Sequence, residues 1–221
     1  HYGADDNASG TAGLIELAEK FAASKQTLKR SILFVAFGAE EMGLLGSKHF
    51  VDQTIIAPEN ISIMLNMDMI GRLSAENNLE ISGAGTAKEL KDLLKKDSMG
   101  LQLALSDEGY GPSDHASFYG VDVPVLHIST GAHLDYHTPF DTFDRLNMEG
   151  LKLVADYVFK LANETNTMDQ KLSFTEAGPK TGNVSRNRMG VTLGIMPDFA
   201  GKVKTGLRAD FVIEGKQAYK G

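Results

Sequence analysis

Five short segments of the chain place acidic residues or histidine where apolar runs end. They are Gly3-Ala4-Asp5-Asp6-Asn7, Ala39-Glu40-Glu41-Met42-Gly43, Asn66-Met67-Asp68-Met69, Ser113-Asp114-His115 and Tyr136-His137-Thr138-Pro139. An Asp-Asp or Glu-Glu pair alone is usually a helix N-terminus, where acidic side chains complement the helix dipole. Several carboxylates with a neutral imidazole suit a divalent ion such as zinc, and a spare glutamate can accept a proton from an activated water. The combination favours a metallohydrolase over a structural explanation.

The composition limits the kind of protein that can hold such a site. The chain has 221 residues, 42% hydrophobic and 23% charged, which is enough for one sizeable core and a small appendage. The net charge of -7, with Lys and Arg scattered, argues against nucleic acid as a partner. No apolar run approaches the roughly 20 residues that cross a bilayer, so no membrane span is expected. Since cysteine is absent, any metal must be held by Asp, Glu and His.

Alternating helix and strand patterns predict an α/β fold, with a mostly parallel or mixed central sheet and helices on both faces. Glu40-Glu41, Asp68 and His137 each follow a predicted strand, where open α/β sheets place their sites. The predicted strands are Ser31 to Phe37, Ile61 to Asn66, Asn78 to Ser82 and Val121 to Ser129. The predicted helices are Ser9 (as N-cap) to about Ala23, Met42 to Gln53, Thr86 to Lys96, a short helix through Phe118, and Asn147 (as N-cap) to about Asn163.

The character of the chain changes near residue 165. Residues 1–165 carry the periodic elements and the acidic segments, whereas 163–188 is polar, contains Gly178, Pro179 and Gly182, and has little periodicity. We interpret 166–221 as a linker or excursion followed by two candidate strands, Gly190 to Ile195 and Asp210 to Gly215. The roughly 30 residues from the first of these strands onward are too few for an independent core.

The motifs resemble those of the M28 family of zinc aminopeptidases over roughly residues 1 to 162. The resemblance rests on Gly3-Ala4-Asp5-Asp6-Asn7-Ala8-Ser9-Gly10, on the stretch from Phe34 to Ser47, on Asn66 to Arg72 and on Asp135-Tyr136-His137-Thr138-Pro139. It implies the zinc-peptidase (phosphorylase/hydrolase-like) architecture. It further implies two zinc ions bridged by Asp6, with Glu41 and His137 completing one site, Asp68 serving the other and Glu40 as the general base.

One ligand of the family pattern has no counterpart here. The family has a His in a His-x-Asp segment upstream of Gly-Ala-Asp-Asp, and His1 is an unsuitable substitute at a frayed terminus. We therefore expect 1–165 to be a catalytic domain lacking its N-terminal part, or else the molecule to hold a lone or weakened zinc. Met189 to Phe199 and Gly206 to Ile213 resemble pieces of a PDZ-like module.

The resemblance implies an exopeptidase that hydrolyses the N-terminal residue from peptides, with the free amine near Asp68. Tyr136 matches a tyrosine that stabilises the oxyanion in some members, the alternative being a Tyr packed at a strand end. Asp114 and His115 resemble a segment on the substrate side, although Ser113 could simply cap a short helix. Asp141 could orient a ligand His or be a solvated turn acid. His127 is expected in the core, and neither His49 nor His133 is preferred to His137.

Two other functions occur among similar folds. Glutaminyl cyclases are acyltransferases that use one zinc, and receptor-like members that have lost ligands act as binding modules. The intact set of Asp6, Glu40, Glu41, Asp68 and His137 argues against a ligand-depleted module. The resemblance also favours secretion or a periplasmic location.

Overall fold

The computed structural model describes residues 2–24 and 28–180, together with two strands, 195–197 and 209–212. The helices are α1 Gly10–Ala23, α2 Leu45–Asp52, α3 Leu90–Lys96, α4 His115–Tyr119 and α5 Met148–Thr167; the strands are β1 Met64–Met67, β2 Asn78–Ser82, β3 Gln102–Leu105, β4 Val125–Ser129, β5 Ile195–Pro197 and β6 Ala209–Val212. A π-helical turn, Ala4–Ser9, precedes α1, and 3-10 turns occupy Pro58–Asn60 and Phe143–Arg145.

Strands β1 to β4 form one mixed sheet in the order β1-β4-β2-β3. Strand β1 runs parallel to β4, and β2 runs parallel to β3. The central pair, β2 and β4, is antiparallel. The α/β prediction with a mixed central sheet is therefore confirmed. Strand β3 was not predicted, because Gln102 to Leu105 is a run of only four residues without clear alternation.

Helices cover both faces of this sheet. Along β4, Leu126 and Ile128 point into a core shared with α1, α3 and α5, whereas Val125 points into a second core with Phe50 of α2 and Phe118 of α4. This alternation is the two-residue period of a strand. Within the described ranges, no helix has the length and apolar character of a membrane span.

The predicted strand from Ser31 to Phe37 is wrong. The segment is extended, and Phe34 packs against one core while Val35 and Phe37 pack against the other, but it is not part of the sheet. A cavity of about 480 Å³ lies along it and is lined by side chains of this segment, of β1 and of the residues before β1. The apolar pattern indicated burial on two faces, and strand pairing needs backbone partners as well.

The N-caps of the two long helices differ from each other. The α1 prediction named the wrong cap: Asn7 Oδ1 accepts a hydrogen bond from Gly10 N at 3.0 Å, while the Ser9 hydroxyl donates to Asp5 O and accepts from Ile70 N. At α5 the predicted cap is confirmed, because Asn147 Oδ1 accepts from Gly150 N at 2.9 Å.

Residues 168–180 lie along the domain after α5 ends. Leu172 is buried, and Thr175 N donates to Thr86 O at 2.8 Å. The Tyr119 hydroxyl holds the segment at two points, since it donates to Gly178 O and accepts from Ala177 N. This part of the predicted linker is therefore packed against the domain, and the division of the chain at residue 165 stays a prediction.

Strands β5 and β6 pair antiparallel, with Ile195 opposite Val212. Most of the segments 189–199 and 206–213, on which the PDZ-like resemblance rests, lie outside the described residues. That interpretation also stays a prediction.

Candidate metal centre

Asp6, Glu41 and His137 meet at one point, although they come from three distant parts of the chain. His137 Nε2 lies 2.7 Å from Glu41 Oε1 and 3.1 Å from Asp6 Oδ2. One ligand atom from each residue lies within 4.8 Å of the others. Tetrahedral zinc with bonds of about 2.0–2.2 Å separates its ligand atoms by about 3.4 Å. Two carboxylate oxygens and one imidazole nitrogen are thus placed where a single zinc ion would take its donors.

The carboxylates of this cluster repel one another. The pKa of Asp6 is raised to about 7, first by burial and then by the charges of Asp68 and Glu41. Asp6 Oδ2 is buried without a well-formed hydrogen bond to the described part of the chain. The pKa of Glu40 is raised to about 8, again by burial first and then by Asp68 and Glu41. Carboxylates this close together, several of them partly buried, favour either protonation or a bound cation, so the charge distribution also fits a metal.

Asp68 lies just beyond the end of β1 and is not part of the three-residue cluster. Its Oδ2 accepts a hydrogen bond from Ser113 Oγ at 2.6 Å, and Ser113 Oγ accepts one from Asn66 Nδ2 at 2.7 Å. His127 Nε2 is 4.0 Å from the same carboxylate oxygen. Because the charge of Asp68 raises the pKa of both Asp6 and Glu40, it belongs to the same acidic region.

Asn7 and Gly10 join the Asp6 turn to the end of β1. The Asn7 side chain donates to Met67 O at 3.0 Å and accepts from Gly10 N and from Met69 N. A Cβ atom at Gly10 would lie 2.4 Å from both Asn7 Oδ1 and Met67 O. The turn that carries Asp6 is therefore pressed against the strand that leads to Asp68.

Asp141 supports Asp6. This fully buried carboxylate accepts hydrogen bonds from Asp5 N, at 3.0 Å to each oxygen, and from Asp6 N at 3.0 Å. The sequence prediction placed Asp141 behind the ligand His137 or in solvent. The structure instead directs its hydrogen bonds to the backbone of the Asp6 turn, because that turn leaves N–H groups that need an acceptor.

Tyr136 lies inside the acidic region, and its ring stacks on His137 with centroids 3.7 Å apart. Its pKa is raised above the ordinary value by burial and then by the charges of Asp6, Glu41, Asp68 and Glu40. The hydroxyl group therefore remains protonated near neutral pH and can donate a hydrogen bond.

Asp114 and His115 are both buried, and they lie in different surroundings. The pKa of Asp114 is raised mainly by burial, with Ser47 opposing, and its charge raises the pKa of Glu40. His115 has no exposed surface and stacks on His127 with centroids 4.6 Å apart. Its ring packs between α4 and β4, and the expected substrate-side role of His115 stays a prediction. Ser113 is not a side-chain cap, since its hydroxyl binds Asp68.

Three supporting residues were missed by the sequence reasoning. His133 Nε2 lies 3.1 Å from the buried Asp5 Oδ2, while Asp5 Oδ1 accepts from Gly71 N. Ser113 holds Asp68, as described above, and Arg72 pairs with Asp135 and Asp141. Two positions in the sequence could have pointed to these supporting contacts. Asp5 directly precedes the predicted ligand Asp6, and Arg72 is the last residue of the Asn66 to Arg72 motif.

Comparison with known proteins identifies the family. Residues 1–162 match the model of peptidase family M28, so the chain belongs to this family. It is 29% identical over 188 residues to aminopeptidase YwaD of Bacillus subtilis, covering 76% of this chain and 39% of the relative. Among solved structures it is similar to the LapA aminopeptidase of Legionella pneumophila, with 29% identity, a TM-score of 0.66 and coverage of 76% of this chain and 48% of that one.

It is also similar to BSAP, a zinc aminopeptidase from Bacillus subtilis, with 26% identity and a TM-score of 0.65. That match covers 80% of this chain and 46% of that chain. The chain thus spans less than half the length of each of these three proteins.

Proposed function

We propose that this protein is a zinc-dependent exopeptidase that hydrolyses the N-terminal residue from peptides. The observation that carries the proposal is the convergence of Asp6, Glu41 and His137 within 4.8 Å, with Glu40 and Asp68 beside them. The names of the relatives, aminopeptidase and zinc aminopeptidase, support the reaction class. Asp6 is assigned as the bridging ligand, Glu41 and His137 as ligands of one ion, and Asp68 as a ligand of the second.

Zinc, when bound, would polarise the scissile carbonyl group and lower the pKa of a water molecule. We assign the movement of the proton to Glu40. Its neighbour Glu41 faces His137, and Glu40 lies near enough to Asp68 and Asp114 for their charges to act on its carboxyl group. Glu40 accepts the proton of the attacking water and passes it to the leaving amine.

Two further groups would orient the substrate. The protonated Tyr136 hydroxyl donates a hydrogen bond to the oxygen of the carbonyl group as negative charge develops there. The carboxylate of Asp68, held by Ser113, faces the ammonium group of the substrate's N-terminus. Asp114 adds negative charge on the Glu40 side. A peptide with a free N-terminus is therefore the proposed substrate.

A pair of neighbouring variants tests the roles of the two glutamates. Glu40→Gln should retain zinc after dialysis and lower turnover of an aminoacyl reporter by about 100-fold or more, since it removes the general base. Glu41→Gln changes the same functional group one residue away and should instead weaken zinc binding. Unchanged turnover in Glu40→Gln would exclude Glu40 from the mechanism. A wild-type protein that retains no zinc and cleaves no reporter would favour a binding module.

A second assay separates hydrolysis from cyclisation. The protein is given aminoacyl amides and, in parallel, a peptide with an N-terminal Gln. We expect release of free amino acids from the amides. Cyclisation of the Gln peptide without hydrolysis would favour the glutaminyl cyclase alternative.

A further inference from the structure

Arg72 lies between the two loops that carry Asp6 and His137. Its side chain is 16% exposed, and its Nη2 donates to Asp135 Oδ2 at 3.0 Å. The same nitrogen lies 3.5 Å from Asp141 Oδ1. Asp135 precedes His137 by two residues and Asp141 follows it by four, so one guanidinium contacts the loop of His137 on both sides of that ligand.

On the His137 side, Arg72 holds the first residue of a strained turn. Thr138 N and Thr138 Oγ1 both donate to Asp135 O, at 3.1 and 2.8 Å. Inside this turn His137 has φ of 55°, a left-handed conformation that is unfavourable for residues other than glycine. Such a conformation persists only where surrounding contacts support it. The ion pair with Arg72 fixes the Asp135 side chain at the start of the turn.

On the Asp6 side, Arg72 acts through Asp141. The buried Asp141 carboxylate accepts the backbone N–H groups of Asp5 and Asp6, so its position sets that of the Asp6 turn. A buried carboxylate needs a compensating positive charge, and Arg72 supplies one. Arg72 therefore contacts the His137 loop directly at Asp135 and Asp141 and reaches the Asp6 turn through Asp141.

We propose that Arg72 is a positioning residue of the metal centre that sets the spacing between Asp6 and His137. This role rests on the proposed function. Because the guanidinium is planar and rigid, its Nη2 faces both carboxylates in a fixed geometry, whereas a lysine ammonium is a point charge on a flexible stem. Outer-shell partners of metal ligands typically contribute about 10- to 100-fold to metal affinity.

The test measures zinc affinity of the full chain by competition with a chromophoric chelator. We expect Arg72→Met to weaken zinc binding by about 10- to 100-fold and Arg72→Lys to restore part of that loss. Arg145→Met is the matched control, because Arg145 is 59% exposed and pairs with the neighbouring Asp144. It should bind zinc as the wild type does. Cobalt(II) loaded in place of zinc should give an altered visible absorption spectrum in Arg72→Met, since the ligand geometry changes.

The outcomes distinguish this role from a purely structural one. If Arg72→Met lowers only the stability of the zinc-free protein and keeps the wild-type zinc affinity and cobalt spectrum, the proposal is wrong while the proposed function stands. If the wild type itself binds no zinc, both the positioning role of Arg72 and the proposed function are wrong. Should Arg72→Met fail to fold, Asp135→Asn takes its place, because it removes the link to the His137 turn and leaves the Arg72–Asp141 pair. Wild-type zinc affinity in Asp135→Asn would overturn the proposal.

Discussion

The two halves of the candidate metal centre are held in different ways. Asp6 and His137 lie in loops that long-range contacts to Asp141 and Arg72 connect. Glu40 and Glu41 lie in a turn whose backbone hydrogen bonds are local, such as Leu44 N to Glu40 O and Gly46 N to Gly38 O. That turn follows the extended segment 31–37, which lies beside a cavity and outside the sheet.

The exposed fractions of the side chains also differ between the two halves of the candidate metal centre. The Asp141 side chain is 1% exposed, whereas that of Glu41 is 57% exposed. A motif specifies which side chains meet. How firmly each side chain is held depends on the contacts that the backbone of its loop makes. We therefore expect substitutions to be costly behind Asp6 and His137 and mild at the exposed positions of 31–37, such as Leu33.

The largest effect is expected at Asp141. Asp141→Ala removes the acceptor of three backbone hydrogen bonds and leaves Arg72 without one of its partners, which should lower the free energy of unfolding by about 3–5 kcal/mol. Asp144→Ala, at an exposed position nearby, should change it by less than about 0.5 kcal/mol. Chemical denaturation measures both. Equal losses in the two variants would contradict the idea that Asp141 is the anchor.

A matched pair of apolar truncations compares the sheet with the extended segment. Ile128→Ala in β4 opens a cavity in the core and should cost about 2–5 kcal/mol. Leu33→Ala removes a side chain that is 57% exposed and should cost less than about 0.5 kcal/mol. A loss at Leu33 as large as that at Ile128 would show that segment 31–37 is as firmly packed as the sheet.

Amide hydrogen exchange compares the same regions without mutation. The amides of β4 are paired with β1 and β2, so they should exchange only on extensive opening. The amides of 31–37 lie outside the sheet and should exchange at least about 100-fold faster. Mass spectrometry of peptides from the two segments gives the ratio. Similar protection in both would remove the distinction on which the comparison rests.

The smallest effect concerns pH and the stacked histidines. Burial, and then the neighbouring His127, lower the pKa of His115 well below its ordinary value. The fold therefore favours neutral His115. Its stabilisation is complete above the unfolded-state pKa of about 6.5 and is lost as the pH falls below it, by up to about 1.4 kcal/mol per unit.

His115→Phe should show a shallower fall in the free energy of unfolding between pH 7.5 and 5.5, measured with a chelator present. Part of the slope should remain, because burial also lowers the pKa of His127. Parallel curves for the variant and the wild type would mean that His115 does not contribute to the acid sensitivity.

The sequence predicted the cluster of Asp6, Glu41 and His137 better than the contacts that support it. Asp6, Glu41 and His137 belong to recognisable motifs, so their convergence could be foreseen. Helix α5 has an apolar face and an Asn147 cap, so its start could be foreseen, whereas its end at Thr167 lies four residues beyond the predicted one. The pairing of Asp5 with His133 could not be foreseen, because it joins residues 128 positions apart and nothing in the sequence around His133 points to Asp5.

For the segment from Ser31 to Phe37, the sequence predicted the side-chain contacts and failed to predict the backbone pairing. Its alternating apolar contacts were predicted, yet whether a backbone pairs depends on a neighbouring strand that composition does not reveal. The role of Asp141 could not be predicted either. A lone acid four residues after His137 gives no sign that its carboxylate oxygens accept hydrogen bonds from Asp5 N and Asp6 N, which lie far away along the chain.

Gly10 allows the Asp6 turn to lie very close to the end of β1, the strand that leads to Asp68. At this position there is room for a hydrogen atom and not for a Cβ atom. Alanine is ordinarily the better helix former, but at this position its methyl group would force apart the helix start and the carbonyl of Met67. Engineers who replace helix glycines to raise thermal tolerance should therefore leave position 10 unchanged, because a methyl group there would push the Asp6 turn away from the end of the strand that leads to Asp68.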